Sequence, residues 1–305
     1  MPARENNGRS MLMLVGAMLI FGSIGIFRKM IPLSSALLAC YRGFAGSLFL
    51  IVFLRIRRKR FRHNIGMRKV ILLIVSGMLI GFNWMLLFEA YNHTTVAVAT
   101  LCYYMEPTIV VLLSPLFLRE RLTLRKGICA LVAIIGMGLV SGVTDGGLPG
   151  TDEILGIALG LGAAALYSAV VLLNKRLPGI DAYEKTIIQL SSAAVVFLPY
   201  LLITEDFAGI RLDFTALIML LVVGFVHTGI AYALYFGSMD GLRGQSVALF
   251  SYVDPITALM LSALILGERM SAAGIIGAVL ILGAAAAGEL VGTQSRGGEA
   301  TKGKQ

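Results

Sequence analysis

The chain has 305 residues, of which 57% are hydrophobic and 14% charged, and its mean hydropathy is +0.85. Soluble globular domains carry about 25% charged residues, so this composition excludes an ordinary water-soluble fold. The net charge of +9 could suit nucleic-acid binding, but the basic residues collect in a few breaks between apolar blocks. We therefore expect an integral membrane protein that does not bind nucleic acid.

Apolar blocks of about twenty residues, the length that spans a bilayer as a helix, recur along the whole chain. They lack the polar and apolar alternation of a transmembrane strand, so they predict α-helices. The first block is interpreted as a span, because no signal-peptide cleavage site leads into a soluble domain. The fold class expected is an all-α integral membrane protein with ten transmembrane helices, at residues 11–28, 34–54, 69–90, 95–118, 125–142, 153–174, 185–203, 213–236, 244–266 and 271–291.

Lys and Arg concentrate in every second break between these blocks. Eight lie within 55–69, whereas 143–152 has none. Because basic residues near span ends stay on the cytoplasmic side, we expect both termini in the cytoplasm and the protein in the cell inner membrane. The polar, Gly-rich segment 293–305 is expected to be a disordered cytoplasmic tail.

An internal repeat relates Glu106-Pro107 to Asp254-Pro255, 148 residues later. In both copies an apolar run with a central serine follows the acid and proline, and a Glu-Arg pair closes the run. With one residue deleted in the second copy, Gly127 and Gly136 match Gly274 and Gly283. The chain therefore consists of two similar halves, 11–142 and 153–291, and an odd number of spans in each makes them an inverted repeat, as in alternating-access carriers.

This pattern resembles the EamA-type transporters of the drug/metabolite transporter superfamily. Each half ends in an acid-Pro pair, an apolar run, Glu-Arg-(Leu/Met)-(Thr/Ser) and a Gly-containing span, and the resemblance covers roughly residues 11–290. It implies an inner-membrane metabolite carrier, often an exporter of amino acids or related compounds, that works by alternating access.

Glu106 and Asp254 are the sharpest candidates for function, because each lies near the middle of a span, where a charge is costly. Pro107 and Pro255 each remove a backbone donor and are expected to kink their helices. A kinked helix can then present a carboxylate and a free carbonyl to a substrate site. One of the acids is also expected to titrate and couple transport to protons. Alternatively, each acid accepts hydrogen bonds from a neighbouring span and only stabilises the bundle.

Arg42 is the only basic residue deep inside an apolar block, and it stays charged. It is predicted either to pair with Glu106 or Asp254 or to anchor a substrate carboxylate. His227 is a lone buried histidine, for which packing or hydrogen bonding is favoured over a proton relay. Further residues could line a site for an amphipathic or aromatic solute: Asn83, Trp84, Tyr103, Tyr104, Gln189, Tyr232, Ser251 and Tyr252.

Enzyme signatures are absent from the sequence. It holds no Walker loop, HExxH, GxSxG or zinc-ligand spacing, and Cys40, Cys102 and Cys129 read as packing residues. We expect no catalysis, metal or cofactor, a small solute and the bilayer as partners, and a monomer or homodimer. The alternatives to a proton-coupled exporter are a facilitator, an exchanger or an uptake carrier without proton coupling, then an intramembrane enzyme or a receptor.

Overall fold

The computed structural model describes residues 2–58, 65–118, 122–142, 150–239, 242 and 244–302. Within these ranges all regular structure is helical. The helices are α1 Pro2–Lys29, α2 Ser35–Ile56, α3 Met67–His93, α4 Val96–Tyr103, α5 Glu106–Leu118, α6 Leu124–Val140, α7 Thr151–Lys175, α8 Ala182–Thr204, α9 Phe214–Leu221, α10 Ala231–Met239, α11 Gly244–Ser251, α12 Val253–Ile265 and α13 Ala272–Lys302. A π-helical segment, Val222–Ile230, joins α9 to α10.

Seven helical stretches are long and apolar enough to cross a membrane. They have 22 to 27 residues, and at 1.5 Å per residue each reaches across a hydrocarbon core of about 30 Å. The prediction of an all-helical, multi-pass membrane protein is thereby confirmed. The three other predicted spans fall on shorter segments, namely helix Leu124–Val140 and the apolar stretches Leu249–Ile265 and Ala272–Gly288.

Two predicted spans are interrupted beside their acid-proline pairs. In the first, α4 ends at Tyr103 and α5 begins at Glu106; in the second, α11 ends at Ser251 and α12 begins at Val253. A proline at position 107 or 255 has no N–H to donate to the carbonyl four residues earlier, which removes one helical hydrogen bond at each break.

The π-helical segment shifts the hydrogen-bond pattern of the predicted span 213–236. The Thr228 hydroxyl donates to the carbonyl of Val223 at 3.0 Å, and Nδ1 of His227 lies 3.4 Å from the carbonyl of Val222. The segment packs against α2. π-helical turns concentrate at functional sites, so this segment is a candidate part of one.

The helices pack in pairs that repeat between the two halves. Helix α3 of the first half packs on α7 of the second, and its counterpart α10 packs on α1. Likewise, α4 and α5 pack on α7, and α12, the counterpart of α5, packs on α1. Helix α2 packs on its counterpart α8, and α6 packs on its counterpart α13, so both pairs join the two halves. This is the pattern expected of two similar halves related by a two-fold rotation.

Polar contacts define two ends of the bundle. At what we call the His93 end, Nδ1 of His93 lies 2.6 Å from a carboxylate oxygen of Asp152, and the Ser34 hydroxyl donates to Glu205. At the Pro178 end, Nζ of Lys69 donates to the carbonyl of Pro178 at 3.3 Å. The centres of the predicted loops 55–69 and 143–152 lie outside the described residues.

Helix α13 extends beyond its apolar part. It continues to Lys302, through most of the segment predicted as a disordered tail. Residues 272–302 contain no proline, the residue that is least compatible with a helix interior.

Candidate functional site

The two helix breaks are brought together at the side chains of Tyr104 and Asp254. Helix α4 packs on α12, and the Tyr104 hydroxyl and the Asp254 carboxyl group interact electrostatically. An acid at the break in the second half therefore has its partner at the break in the first half.

The other break, at Glu106, is held by α7. The Ser168 hydroxyl lies 3.1 Å from the backbone carbonyl of Glu106 and 2.7 Å from that of Ala164. The Glu106 side chain also interacts electrostatically with Tyr103 and Tyr167. Both acids thus lie among tyrosine hydroxyl groups.

Aromatic rings from four helices surround the breaks. The ring centroids of Tyr103 and Tyr104 are 6.0 Å apart at 88°, and those of Tyr103 and Tyr167 are 5.7 Å apart at 42°. From α10, Tyr232 meets Phe21 edge-to-face at 5.3 Å and interacts electrostatically with Tyr167. Such offset and edge-to-face pairs are the favoured arrangements of aromatic rings, so the site has apolar walls with hydroxyl groups.

Arg42 is buried in the same region. Its guanidinium carbon lies 4.0 Å from the centroid of the Trp84 ring and 5.4 Å from that of Phe88, and Nε donates to the Thr228 hydroxyl at 3.0 Å. It interacts electrostatically with Tyr232, Tyr103 and Tyr91. The cation is therefore stabilised by aromatic faces and a hydroxyl, while Asp254 interacts with Tyr104.

His227 connects the π-helical segment to α1. Its Nε2 lies 2.9 Å from the Ser23 hydroxyl, and its ring meets Phe27 edge-to-face at 4.6 Å. It is buried and within electrostatic range of Arg42. The histidine thus has packing and hydrogen-bond partners beside the site.

Three other predicted residues make hydrogen bonds within or between helices. Asn83 donates to the carbonyl of Ala163 at 2.6 Å. Gln189 donates to the Ser76 hydroxyl at 2.7 Å and to the Asn174 side chain at 2.9 Å. Ser251 donates to the carbonyl of Val247 at 2.8 Å, within its own helix. The two amides therefore join α3, α7 and α8, and Tyr252 occupies the break between α11 and α12.

Several residues of the site were not predicted from sequence. Tyr167 and Ser168 form a polar pair in the apolar middle of the predicted span 153–174, and that contrast was a usable signal. No such signal marks Thr228 and Phe88 in the sequence, because their roles depend on contact with Arg42, which is distant in the chain. Among the described residues no group of three or more His, Cys, Asp and Glu side chains could hold a metal ion.

Comparison with known proteins shows what the chain is similar to. The model of the EamA-like transporter family matches residues 8–142 and 154–287, one copy in each half. A Bacillus subtilis protein named "Uncharacterized transporter YxxF" is 28% identical over 279 residues, which cover 91% of this chain and 88% of that protein. A Vibrio cholerae protein named "Uncharacterized transporter" is 28% identical, covering 88% of each chain.

Two further proteins match the chain at lower sequence identity. "Protein RarD" of Escherichia coli is 26% identical over 207 residues, 67% of each chain. A solved crystal structure matches with a TM-score of 0.64 at 21% identity and covers 92% of this chain and 98% of its own, a likeness that shows the fold alone. Because the family model covers both halves, the chain belongs to the EamA-like transporter family of the drug/metabolite transporter superfamily.

Proposed function

We propose that this protein is a secondary carrier that moves a small amphipathic metabolite, such as an amino acid, out across the inner membrane by alternating access. Its ten spans form two inverted five-helix halves, and the substrate binds between them at the two helix breaks. Inverted repeats with broken helices at the membrane midplane suit this mechanism, because one half can move against the other around a central site.

The proposal rests on the electrostatic interaction between the Tyr104 and Asp254 side chains. Each residue lies at a helix break, and the breaks belong to opposite halves. A carboxylate near the middle of a membrane protein is costly and therefore indicates function. Because Tyr104 belongs to one half and Asp254 to the other, movement of the halves would change the shape of the site between them.

The charges and rings of the site suit an amphipathic solute. Arg42 can attract an anionic group, Asp254 and Glu106 can attract a cationic one, and Tyr103 and Tyr167 offer aromatic faces between them. A small molecule with a positive group, a negative group and an apolar part can therefore contact a matching side chain with each of them.

The same acids can couple transport to protons. A carboxyl that faces each compartment in turn can take up a proton on one side and release it on the other, which links a pH gradient to substrate movement. We assign this role to Asp254 or Glu106, with the Pro178 end in the cytoplasm, because Lys69, Lys175 and Arg176 lie there.

The test begins with an unbiased comparison of metabolites in the medium of cells that do or do not express the protein. A solute that accumulates outside is then assayed in proteoliposomes with an imposed pH gradient. We expect Asp254→Asn or Glu106→Gln to reduce gradient-driven accumulation by about tenfold or more. The matched control is Asp206→Asn, which neutralises an exposed acid at the His93 end and is expected to transport normally.

Two results would overturn the proposal. Solute movement no faster than in empty vesicles excludes a carrier. Wild-type, gradient-dependent accumulation by both Asp254→Asn and Glu106→Gln excludes these acids as the coupling site and favours a facilitator or exchanger.

A further inference from the structure

We infer that Glu268 closes the central site toward the His93 end, and that its release is a required step of transport. The inference rests on the proposed function. The contact, here called the Glu268 latch, consists of the Glu268 carboxylate, the Ser262 hydroxyl and the backbone N–H of Val96.

The latch joins the two halves. An oxygen of the Glu268 carboxylate accepts a hydrogen bond from the backbone N–H of Val96 at 2.8 Å. The same oxygen accepts one from the Ser262 hydroxyl. Val96 is the first residue of α4, where unpaired N–H groups and the helix dipole attract an anion. An acid of the second half therefore binds the beginning of the broken helix in the first half.

The turn that carries Glu268 is preformed. Gly267 has φ of +67°, a conformation that glycine adopts without strain. The backbone N–H groups of Leu266 and Glu268 both donate to the carbonyl of Ser262, at 3.1 and 3.2 Å. Within the second half, α12 thus holds the Glu268 carboxylate in place. The hydrogen bond from Val96 of the first half is the contact that can break when the halves move apart.

The packing of the broken helices shows which end is closed. At the His93 end, α4 packs directly on α12. Toward the Pro178 end, α5 packs on α6 and α7 and α11 packs on α1 and α13, and no extended packing joins α5 to α11 in the described part of the chain. The latch therefore lies at the end where the two broken helices meet.

The test measures access to the site from outside. Ser251→Cys, at one helix break, serves as the reporter in a background whose native cysteines are replaced. It is labelled in intact cells by a membrane-impermeant thiol reagent, and in inside-out vesicles for access from the Pro178 end. We expect slow labelling from outside and fast labelling in the vesicles.

Glu268→Gln should raise the external labelling rate by about tenfold, because it removes the charge that Val96 and Ser262 stabilise. Ser262→Ala should raise it less. Glu153→Gln is the matched control, since Glu153 lies at the same end and has no hydrogen bond or ion pair among the described residues. It should label like the parent.

The outcomes separate the latch from the proposed function. Equal external labelling of Glu268→Gln and Glu153→Gln, with the reporter still accessible in vesicles, overturns the latch alone. A reporter that labels from neither side overturns the central site as well. If Glu268→Gln fails to fold, Ser262→Ala, which keeps the Glu268 charge, provides the test: external labelling equal to that of Glu153→Gln overturns the latch.

Discussion

The guanidinium carbon of Arg42 lies 4.0 Å from the centroid of the Trp84 ring. The two residues come from α2 and α3, and both are buried. A cation over an aromatic face is stabilised by about 2 kcal/mol or more where water is excluded. This contact explains how a permanently charged side chain is accommodated deep in the bundle.

The first prediction tests that contact. Trp84→Leu should destabilise the protein by about 2 kcal/mol more than Trp84→Phe, because phenylalanine keeps an aromatic face for Arg42 and leucine does not. Thermal unfolding in detergent measures the difference. Equal midpoints for the two variants would show that the ring contributes volume alone.

The second prediction concerns Gln189, whose amide joins α8 to Ser76 of α3 and Asn174 of α7. Gln189→Leu should lower stability by about 0.5–2 kcal/mol, the range for hydrogen bonds between membrane helices. Once a substrate is known, its KM should stay unchanged. A raised KM with unaltered unfolding would instead place Gln189 in contact with substrate.

The third prediction compares two glycines of α6. A Cβ at Gly136 would lie 2.8 Å from the carbonyl oxygen of Gly277 in α13, whereas one at Gly138 meets nothing within 4 Å. Gly136→Val should therefore cost about 1–3 kcal/mol through overpacking, and Gly138→Val, with the same change in helix propensity, should not. Expression and thermal midpoints of both variants decide; similar losses would contradict close packing of α6 on α13.

The fourth prediction is the orientation. Asn64 lies in the break with the most basic residues and Gly147 in one with none, and both are outside the described residues. A cysteine at 147 should react with an impermeant reagent on intact cells, and one at 64 should react only after the membrane is opened. The reverse pattern would place both termini outside.

The sequence was sufficient for features that are local or repeated. The apolar blocks predicted helical membrane spans, and the two acid-proline pairs predicted where helices are interrupted, since a missing N–H acts within its own helix. The duplication of those pairs also identified the family.

Contacts between distant residues could not be predicted in the same way. Arg42 was expected to pair with an acid or to anchor a substrate carboxylate, and both stay predictions; nothing in the sequence indicates its contacts with Trp84, Phe88 and Thr228. Glu268 was marked by its place in the repeat, yet nothing in the sequence indicates that it reaches Val96. Such pairings depend on how helices rotate and tilt against one another, which packing decides and hydropathy does not.

Counterflow of the identified solute in proteoliposomes tests the central claim most directly. Vesicles loaded with unlabelled solute are diluted into a trace of labelled solute, without any ion gradient. An alternating-access carrier exchanges one molecule for another, so the labelled solute should accumulate inside transiently above its external concentration and then decline, and Asp254→Asn should reduce that overshoot. Labelled solute that only approaches its external concentration would indicate a channel, and none entering would indicate a protein that does not transport it; either result contradicts the account.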